Sequence, residues 1–321
     1  MRFICAQPTN NYFIWQVEVM IHNFIKMGIN PNQIDILCGM EGDLTRWGNM
    51  AHHYNTVRFF FYPDTRLNKS YVSSIRPHIL KKHFEAHPEL SQETIFYHDC
   101  DILFTKPINE WLFDRDDNIC YGSDTGNYIG ADYIISRGEI FLDEMCKIVG
   151  IDKELVKSNE KNSIGAQYVL KGIDYKFWER VEKDGEQLFN DIVPLAISMI
   201  PKLAQEYAAK GETRLPNYND VFQIWCADMW ALLWNLWKDG KQTKCDSALN
   251  FAWASWKYSD VANANIYHNA GVPQWEAENK FFKGHYTQIV PYKENLNVSP
   301  ESASYYYWQQ VQECAKNTIL L

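Results

Sequence analysis

From its second residue onward the chain alternates short β-branched or aromatic runs with stretches of helically spaced apolar residues. This alternation restricts the fold more than any other feature. Residues 2–6, Arg-Phe-Ile-Cys-Ala, read as a strand, Gln7-Pro8-Thr9-Asn10 as a turn, and 13–27 as a helix ending near Gly28. Strands follow at 34–38 and 56–62, then a helix at 71–83 with Pro77 near its start. Residues 95–97, Ile-Phe-Tyr, form a further strand, too short and too β-prone for a helix. Such alternation builds an α/β, Rossmann-like fold: a mostly parallel central sheet flanked by helices on both faces. Further strands are expected at 119–121, 128–135 and 163–170, with a helix from Asp174 to about residue 181. A helix at 222–237 carries Phe222, Trp225, Cys226, Met229, Trp230, Leu233, Trp234 and Trp237 on one stripe. A short strand at 264–268 and a helix at 299–314, capped by Ser299 or Ser302, close a helical, aromatic-rich C-terminal part. No repeat, low-complexity tract or linker marks a boundary, so one domain is expected over 1–321.

The strand at 95–97 runs into Asp99-Cys100-Asp101, and Ile102-Leu103-Phe104 follows. Alternate residues of an extended chain point the same way, so both carboxylates can face one spot, and a cation would offset their repulsion. Hard divalent ions such as Mg²⁺ or Mn²⁺ take one or two carboxylates together with substrate phosphates. The alternative is a pair of solvated acids at a turn. Position favours the metal site, because parallel sheets bind ligands at the carboxyl ends of their strands.

The totals narrow the class. With 46% hydrophobic and 22% charged residues the chain is expected to be globular. Its net charge of −9 disfavours a general nucleic-acid binder, whose affinity rests on neutralising phosphates. The eight cysteines are scattered without Cys-x-x-Cys and read as small buried hydrophobes in a reducing compartment. The sequence shows neither an apolar leader nor a span long enough for a bilayer, so the expectation is a cytoplasmic protein, in the host cytoplasm if the chain is viral.

A second cluster, His268-Asn269-Ala270-Gly271, ends a strand, and Lys283-Gly284-His285 follows. Histidine supplies a nitrogen ligand to Mn²⁺, glycine admits a phosphate close to the backbone, and lysine adds positive charge. Alone, His268 reads equally as a hydrogen-bonded core histidine. Together with Asp99 and Asp101 it reads as a third metal ligand.

At these residues the chain resembles the nucleotide-sugar glycosyltransferases of the GT-A type. His268-x-x-Gly271 with a following lysine is similar to the His-x-x-Gly-x-x-Lys element of retaining enzymes such as glycogenin and the bacterial lipooligosaccharide galactosyltransferases. More distantly, Arg76-Pro77, Ser163-Ile164-Gly165 and Asp228-Met229-Trp230 resemble segments of the hydroxyproline arabinosyltransferases and serine galactosyltransferases. One departure stands out: position 274 is Gln274 where the family has lysine, leaving Lys280 and Lys283 as candidates. The resemblance implies a GT-A fold with a nucleotide-binding half in 1–125, a sugar and acceptor half in 126–290, and a C-terminal helix in 291–321. It also implies a UDP-sugar donor, a Mn²⁺ or Mg²⁺ ion on Asp99, Asp101 and His268, and transfer with retention. Donor contacts fall to Gln7, Thr9, Arg76, Asp99, Gly271 and Lys283. Gln167 and Asp228 are the candidates for the group beneath the sugar. Gln167 reads otherwise as a strand-end polar residue, and Asp228 as a buried acid paired with an Arg or a Trp N–H. The acceptor hydroxyl is that of a glycan, a protein or a hydroxymethylated base in phage DNA. Asp124 is a candidate for holding sugar or acceptor, or simply an acid in a turn. The aromatic run 305–308 reads as one buried helical turn, and Lys69, Arg76, Lys81 and Lys82 as solvated helix charges or a small basic groove. Two other classes remain: a catalytically silent sugar-nucleotide-binding protein, and a nucleotidyltransferase, which would normally show a Gly-rich basic segment where Gln7-Pro8-Thr9-Asn10 stands.

Overall fold

A computed structural model describes residues 1–109, 113–115 and 117–320. Strands β1 (Arg2–Pro8), β2 (Ile34–Met40), β3 (Arg58–Pro63) and β4 (Ile95–Tyr97) are joined by helices α1 (Asn11–Lys26), α2 (Thr45–His53) and α3 (Ile75–Ala86). Strand β5 (Ile102–Phe104) follows at once, then β6 (Cys120–Asp124) and four short helices. These are α4 (Gly126–Ile129), α5 (Ala131–Arg137), α6 (Glu139–Val149) and α7 (Lys153–Ser158). After β7 (Ile164–Leu170) come the long α8 (Tyr175–Ala209), α9 (Tyr218–Val221) and α10 (Ala227–Lys238). The remainder is β8 (Thr243–Cys245), β9 (Phe251–Trp253), α11 (Tyr258–Val261), β10 (Ile266–His268) and α12 (Ser304–Cys314).

The main sheet has the order β3-β2-β1-β4-β7-β6-β8. Four of its pairings are parallel, and those of β7 with β4 and β6 are antiparallel. The α/β, mostly parallel architecture expected from the alternation is the one observed. β1 shows why: Phe3 and Cys5 pack on the α1 side while Ile4 and Ala6 pack on the α3 side, so the strand is buried on both faces. Asn10 caps α1 by accepting from Phe13 N–H, and Gly28, at φ +94°, lets the chain reverse after it. A second, three-stranded sheet, β5-β10-β9, sits beside the first.

Three expectations need correction. Residues 128–135 form no strand but the end of α4 and most of α5, on either side of Gly130: the Glu160 carboxylate accepts from Ala131 N–H at 2.5 Å and Asp132 N–H at 3.3 Å, capping α5 from outside. The helix expected at 222–237 begins only at Ala227, because Phe222 is extended and Ile224–Cys226 form a 3-10 turn. The helix from Asp174 does not stop near residue 181 but runs to Ala209 through Pro194 and Pro201. Its first half buries Phe177, Trp178, Val181, Leu188 and Ile192 in the core, which outweighs local propensity. At the C-terminus, α12 starts at Ser304, whose N–H reaches Ser302 Oγ at 3.3 Å. No helix among the described residues is long and apolar enough to cross a membrane.

Candidate active site

β4 ends at Tyr97 and β5 begins at Ile102, so His98-Asp99-Cys100-Asp101 is the turn by which the chain leaves the large sheet for the small one. His98 fixes that turn. Its Nδ1 lies 2.9 Å from the Asp99 carbonyl, and its ring packs against Phe24 and Phe96. Burial pushes the His98 imidazole down to about 4, so near neutrality the ring is uncharged and Nδ1–H is the donor.

The small sheet unites the two sequence motifs. β5 pairs antiparallel with β10, with Ile102 opposite His268, and Asn269 N–H donates to the Asp101 carbonyl at 3.0 Å. This register brings the His268 imidazole to the acids, its Nε2 3.3 Å from Asp101 Oδ1 and 3.7 Å from Asp99 Oδ2. Ligand atoms of Asp99, Asp101 and His268 all lie within 4.8 Å of one another. The imidazole stacks on Trp253 and meets the edge of Phe251, which holds its plane. Two carboxylates and one imidazole are a donor set suited to Mn²⁺, and to Mg²⁺ through the oxygens.

Each neighbouring acid is already matched. Lys283 Nζ donates to Asp101 Oδ2. Burial alone would raise the Asp101 carboxyl, but Lys283 and His268 hold it well below the usual carboxylate range. From α3, Arg76 spans the site: Nη1 donates to Asp99 Oδ1 and Nη2 to Asp228 Oδ2, both at 2.5 Å. Tyr71 O–H donates to Asp228 Oδ1 at 2.5 Å and lies 2.9 Å from the Trp225 carbonyl, while Asp228 N–H donates to the Tyr71 oxygen. Asp228 also occupies the first turn of α10, where the helix dipole favours a negative charge. Three carboxylates against Arg76 and Lys283 leave one net negative charge while His268 is neutral, a balance that welcomes a cation.

These groups border a cavity of about 300 Å³ at the carboxyl ends of β1 and β4. Of the sequence-predicted residues, Gln7, Arg76, Asp99, Asp101, Asp228, His268 and Lys283 line it. Gln7 donates its amide to the Leu37 carbonyl, and its Oε1 is buried without a partner among the described residues. Thr9 does not line it: its hydroxyl sits between the carbonyls of Gly39 and Glu41. Gly271, at φ +85°, packs beneath Trp253 and Ser255, where a Cβ would come within 3.2 Å of the indole; its neighbour Ala270 is the one on the cavity. Lys280 pairs with Glu276, leaving Lys283 as the lysine at the acids.

Gln167 is not brought to the cavity. β7 carries two extra residues between its pairings Ser123↔Gly165 and Gly122↔Tyr168, and Ala166 there has φ +64°. The bulge presents Ala166 to the cavity and turns Gln167 away, its amide donating to Ser123 Oγ and the Leu249 carbonyl. Asp124 accepts from Gly126 N–H in its own turn. Sequence reasoning missed Tyr71, Tyr97, Tyr168, Trp225 and Trp253. The stacked pair Tyr97–Tyr168 forms part of the wall. Tyr97 was visible as the last residue of a strand aimed at the site, but the others depend on contacts between distant segments.

No family model and no curated protein sequence matches the chain. Solved structures do. The WbbM bifunctional glycosyltransferase is 9% identical over 99% of this chain, with a TM-score of 0.48, and this chain spans 50% of its length. Mouse xyloside xylosyltransferase 1 is 10% identical, covering 85% of this chain and 99% of its own, with a TM-score of 0.37. Glucosyl-3-phosphoglycerate synthase from Mycobacterium tuberculosis is 12% identical, covering 63% of this chain and 66% of its own, with a TM-score of 0.33.

Proposed function

We propose that the chain is a metal-dependent glycosyltransferase that moves a sugar from a UDP-linked donor to an acceptor hydroxyl, with retention of anomeric configuration. The observation that carries this reading is the convergence of Asp99, Asp101 and His268 beside the Arg76–Asp228 pair in one cavity at the ends of parallel strands. In this reading 1–125 supplies most of the nucleotide site and 126–290 the sugar and acceptor side.

The chemistry follows from the charges. A bound Mn²⁺ or Mg²⁺ held by Asp99, Asp101 and His268 would neutralise a diphosphate leaving group. Lys283, released from Asp101, donates to the phosphate oxygens as charge builds on them. Gln7 and the first turn of α1, with Tyr12 and Phe13 on the cavity, border the nucleotide. Arg76 holds Asp99 toward the phosphates and Asp228 toward the sugar. Asp228, paired with Arg76 and Tyr71, faces positive charge as the anomeric carbon loses its leaving group. The acceptor oxygen attacks that carbon and its proton passes to the departing phosphate.

The test is product release. With Mn²⁺, a panel of sugar nucleotides is expected to yield nucleoside diphosphate, from UDP-sugars first. Pyrophosphate release would indicate a nucleotidyltransferase, and binding without turnover a silent binder.

A further inference from the structure

Seven side chains form a continuous polar ladder across the cavity. Lys283 pairs with Asp101; Asp101 and Asp99 approach His268 at 3.3 and 3.7 Å; Asp99 and Asp228 are joined by Arg76 at 2.5 Å each; and Tyr71 meets Asp228 at 2.5 Å. The ladder gives the cavity a direction. Under the donor reading above, on which this inference rests, the diphosphate lies at the Lys283 end and the transferred sugar near Arg76 and Asp228. What lies past Tyr71 is then the side from which the acceptor arrives.

That end is built differently. Tyr71 O–H is 2.9 Å from the Trp225 carbonyl, tying the 3-10 turn before α10 to the 3-10 turn Val72–Ser74 before α3. Each turn puts an apolar side chain in the open: Trp225 is 50% exposed and Val72 71%. Among the large apolar side chains this exposed in the described residues, only these two line the cavity. Trp225 makes no ring contact or side-chain hydrogen bond among the described residues, and half of it is open to solvent. Ser73, next to Val72, also lines the cavity, and its hydroxyl has no hydrogen-bond partner among the described residues. The Tyr71 ring, stacked on Phe189 of α8, keeps both turns in place.

We propose that Trp225, Val72 and Ser73 form the acceptor subsite, and that its occupant is the ring of a saccharide. A sugar ring offers a C–H face to the indole and hydroxyls to Ser73, and it carries no charge. The lining matches: the cavity's cations other than histidine, Arg76 and Lys283, are both paired with carboxylates, and no free cation stands at the lip among the described residues. A DNA acceptor would also stack, but it needs cations on its phosphates.

The experiment uses the purified chain with Mn²⁺ and UDP-glucose, UDP-galactose, UDP-xylose and UDP-arabinose. UDP release is followed in water alone, then with methyl glycosides of glucose, galactose and xylose, a hydroxymethylcytosine oligonucleotide, or a hydroxyproline peptide. Release in water reports the donor site, and the increment reports the lip. A saturable increment with a methyl glycoside is expected. Trp225→Ala should lower kcat/KM for that glycoside about 10-fold or more relative to the water reaction, with Trp225→Phe retaining most of it. An equal increment in Trp225→Ala, an increment from the oligonucleotide or peptide alone, or none while release in water persists, overturns the saccharide subsite and leaves the donor reading standing. No UDP release from any donor overturns both.

Discussion

Asp99 and Asp228, far apart in sequence, are held by opposite ends of one guanidinium, each 2.5 Å from a terminal nitrogen of Arg76. One belongs to the Asp-Asp-His group that could hold a metal and the other lies in the first turn of α10, so under the proposed function a single side chain sets the distance between the phosphate and sugar ends of the cavity. Lysine cannot reproduce this, since an ammonium is a point charge and the guanidinium is a rigid fork. Arg76→Lys is therefore expected to lower transfer at least about 100-fold. Arg76→Met, which leaves both acids without their cation, should cost about 3 kcal/mol of stability in addition. Turnover and denaturant unfolding, measured on both variants, separate the two effects. Wild-type turnover in Arg76→Lys would show that the bridge does not position the site.

Asp228→Asn keeps the shape and removes the charge. The amide can still accept from Tyr71, while its pairing with Arg76 weakens. Turnover should fall about 100-fold or more with little change in UDP affinity, because under the proposed function the carboxylate acts on the sugar and not on the nucleotide. Calorimetric titration of UDP with Mn²⁺, set beside kcat, makes the comparison. A parallel loss of UDP affinity would place Asp228 in nucleotide binding instead.

The metal site is tested without turnover by following the free Mn²⁺ resonance during titration. Mn²⁺ should be taken up by the wild-type chain, and chelation should abolish sugar transfer until Mn²⁺ or Mg²⁺ is restored. Asp101 is buried and paired with Lys283, so alanine there removes the acceptor for Lys283 and leaves space; Asp101→Asn, which keeps the shape and an acceptor, is the cleaner variant. It should lose Mn²⁺ uptake while remaining folded. Lys283→Met should retain the ion and weaken UDP about 10-fold. Full activity in excess chelator would exclude the metal reading.

Away from the cavity, Asp35 predicts the acid limb of stability. It is fully buried in β2 and receives two hydrogen bonds from Arg58, with His83 Nε2 3.7 Å away. Burial would raise its carboxyl, but His83 and Arg58 hold it below the usual range, and burial likewise depresses His83. Both groups bind protons more readily in the unfolded chain. Their contributions are therefore complete above the ordinary histidine range and fade as pH falls, first through His83 and then through Asp35. Melting temperature should drop from neutrality toward pH 4. Asp35→Asn should cost about 3 kcal/mol at pH 7 and flatten the lower part of that slope. An unchanged slope would place the acid sensitivity elsewhere.

What the sequence disclosed, and what it withheld, follows from range. Asp99 and Asp101 were readable because two-residue periodicity and a strand end are local facts, and His268 because its strand and glycine are local too. That β10 pairs with β5 is not local, and neither is the reach of Arg76 from α3 to α10. The stretch 128–135 was misread because Tyr128, Ile129, Tyr133, Ile134 and Ile135 favour strands while the deciding cap of α5, Glu160, lies two helices away. Where Gln167 points could not be read locally: two extra residues in β7 break the strand alternation at that position.

Stereochemistry is the last expectation. Inversion requires a base on the acceptor hydroxyl at the face opposite the leaving group. The carboxylate nearest that role is Asp228, but both its oxygens are engaged, one by Tyr71 O–H and one by Arg76. A carboxylate engaged at both oxygens is badly placed to take a proton, whereas one beside a positively charged sugar is well placed. Retention, with the acceptor proton leaving on the phosphate, uses Asp228 as it is found. Proton NMR of the first product formed is therefore expected to show the anomeric configuration of the donor. An inverted product would require Asp228 to release one of its two partners before it took the proton. Tyr71→Phe, which frees one carboxylate oxygen, would then raise turnover; under retention it should lower it.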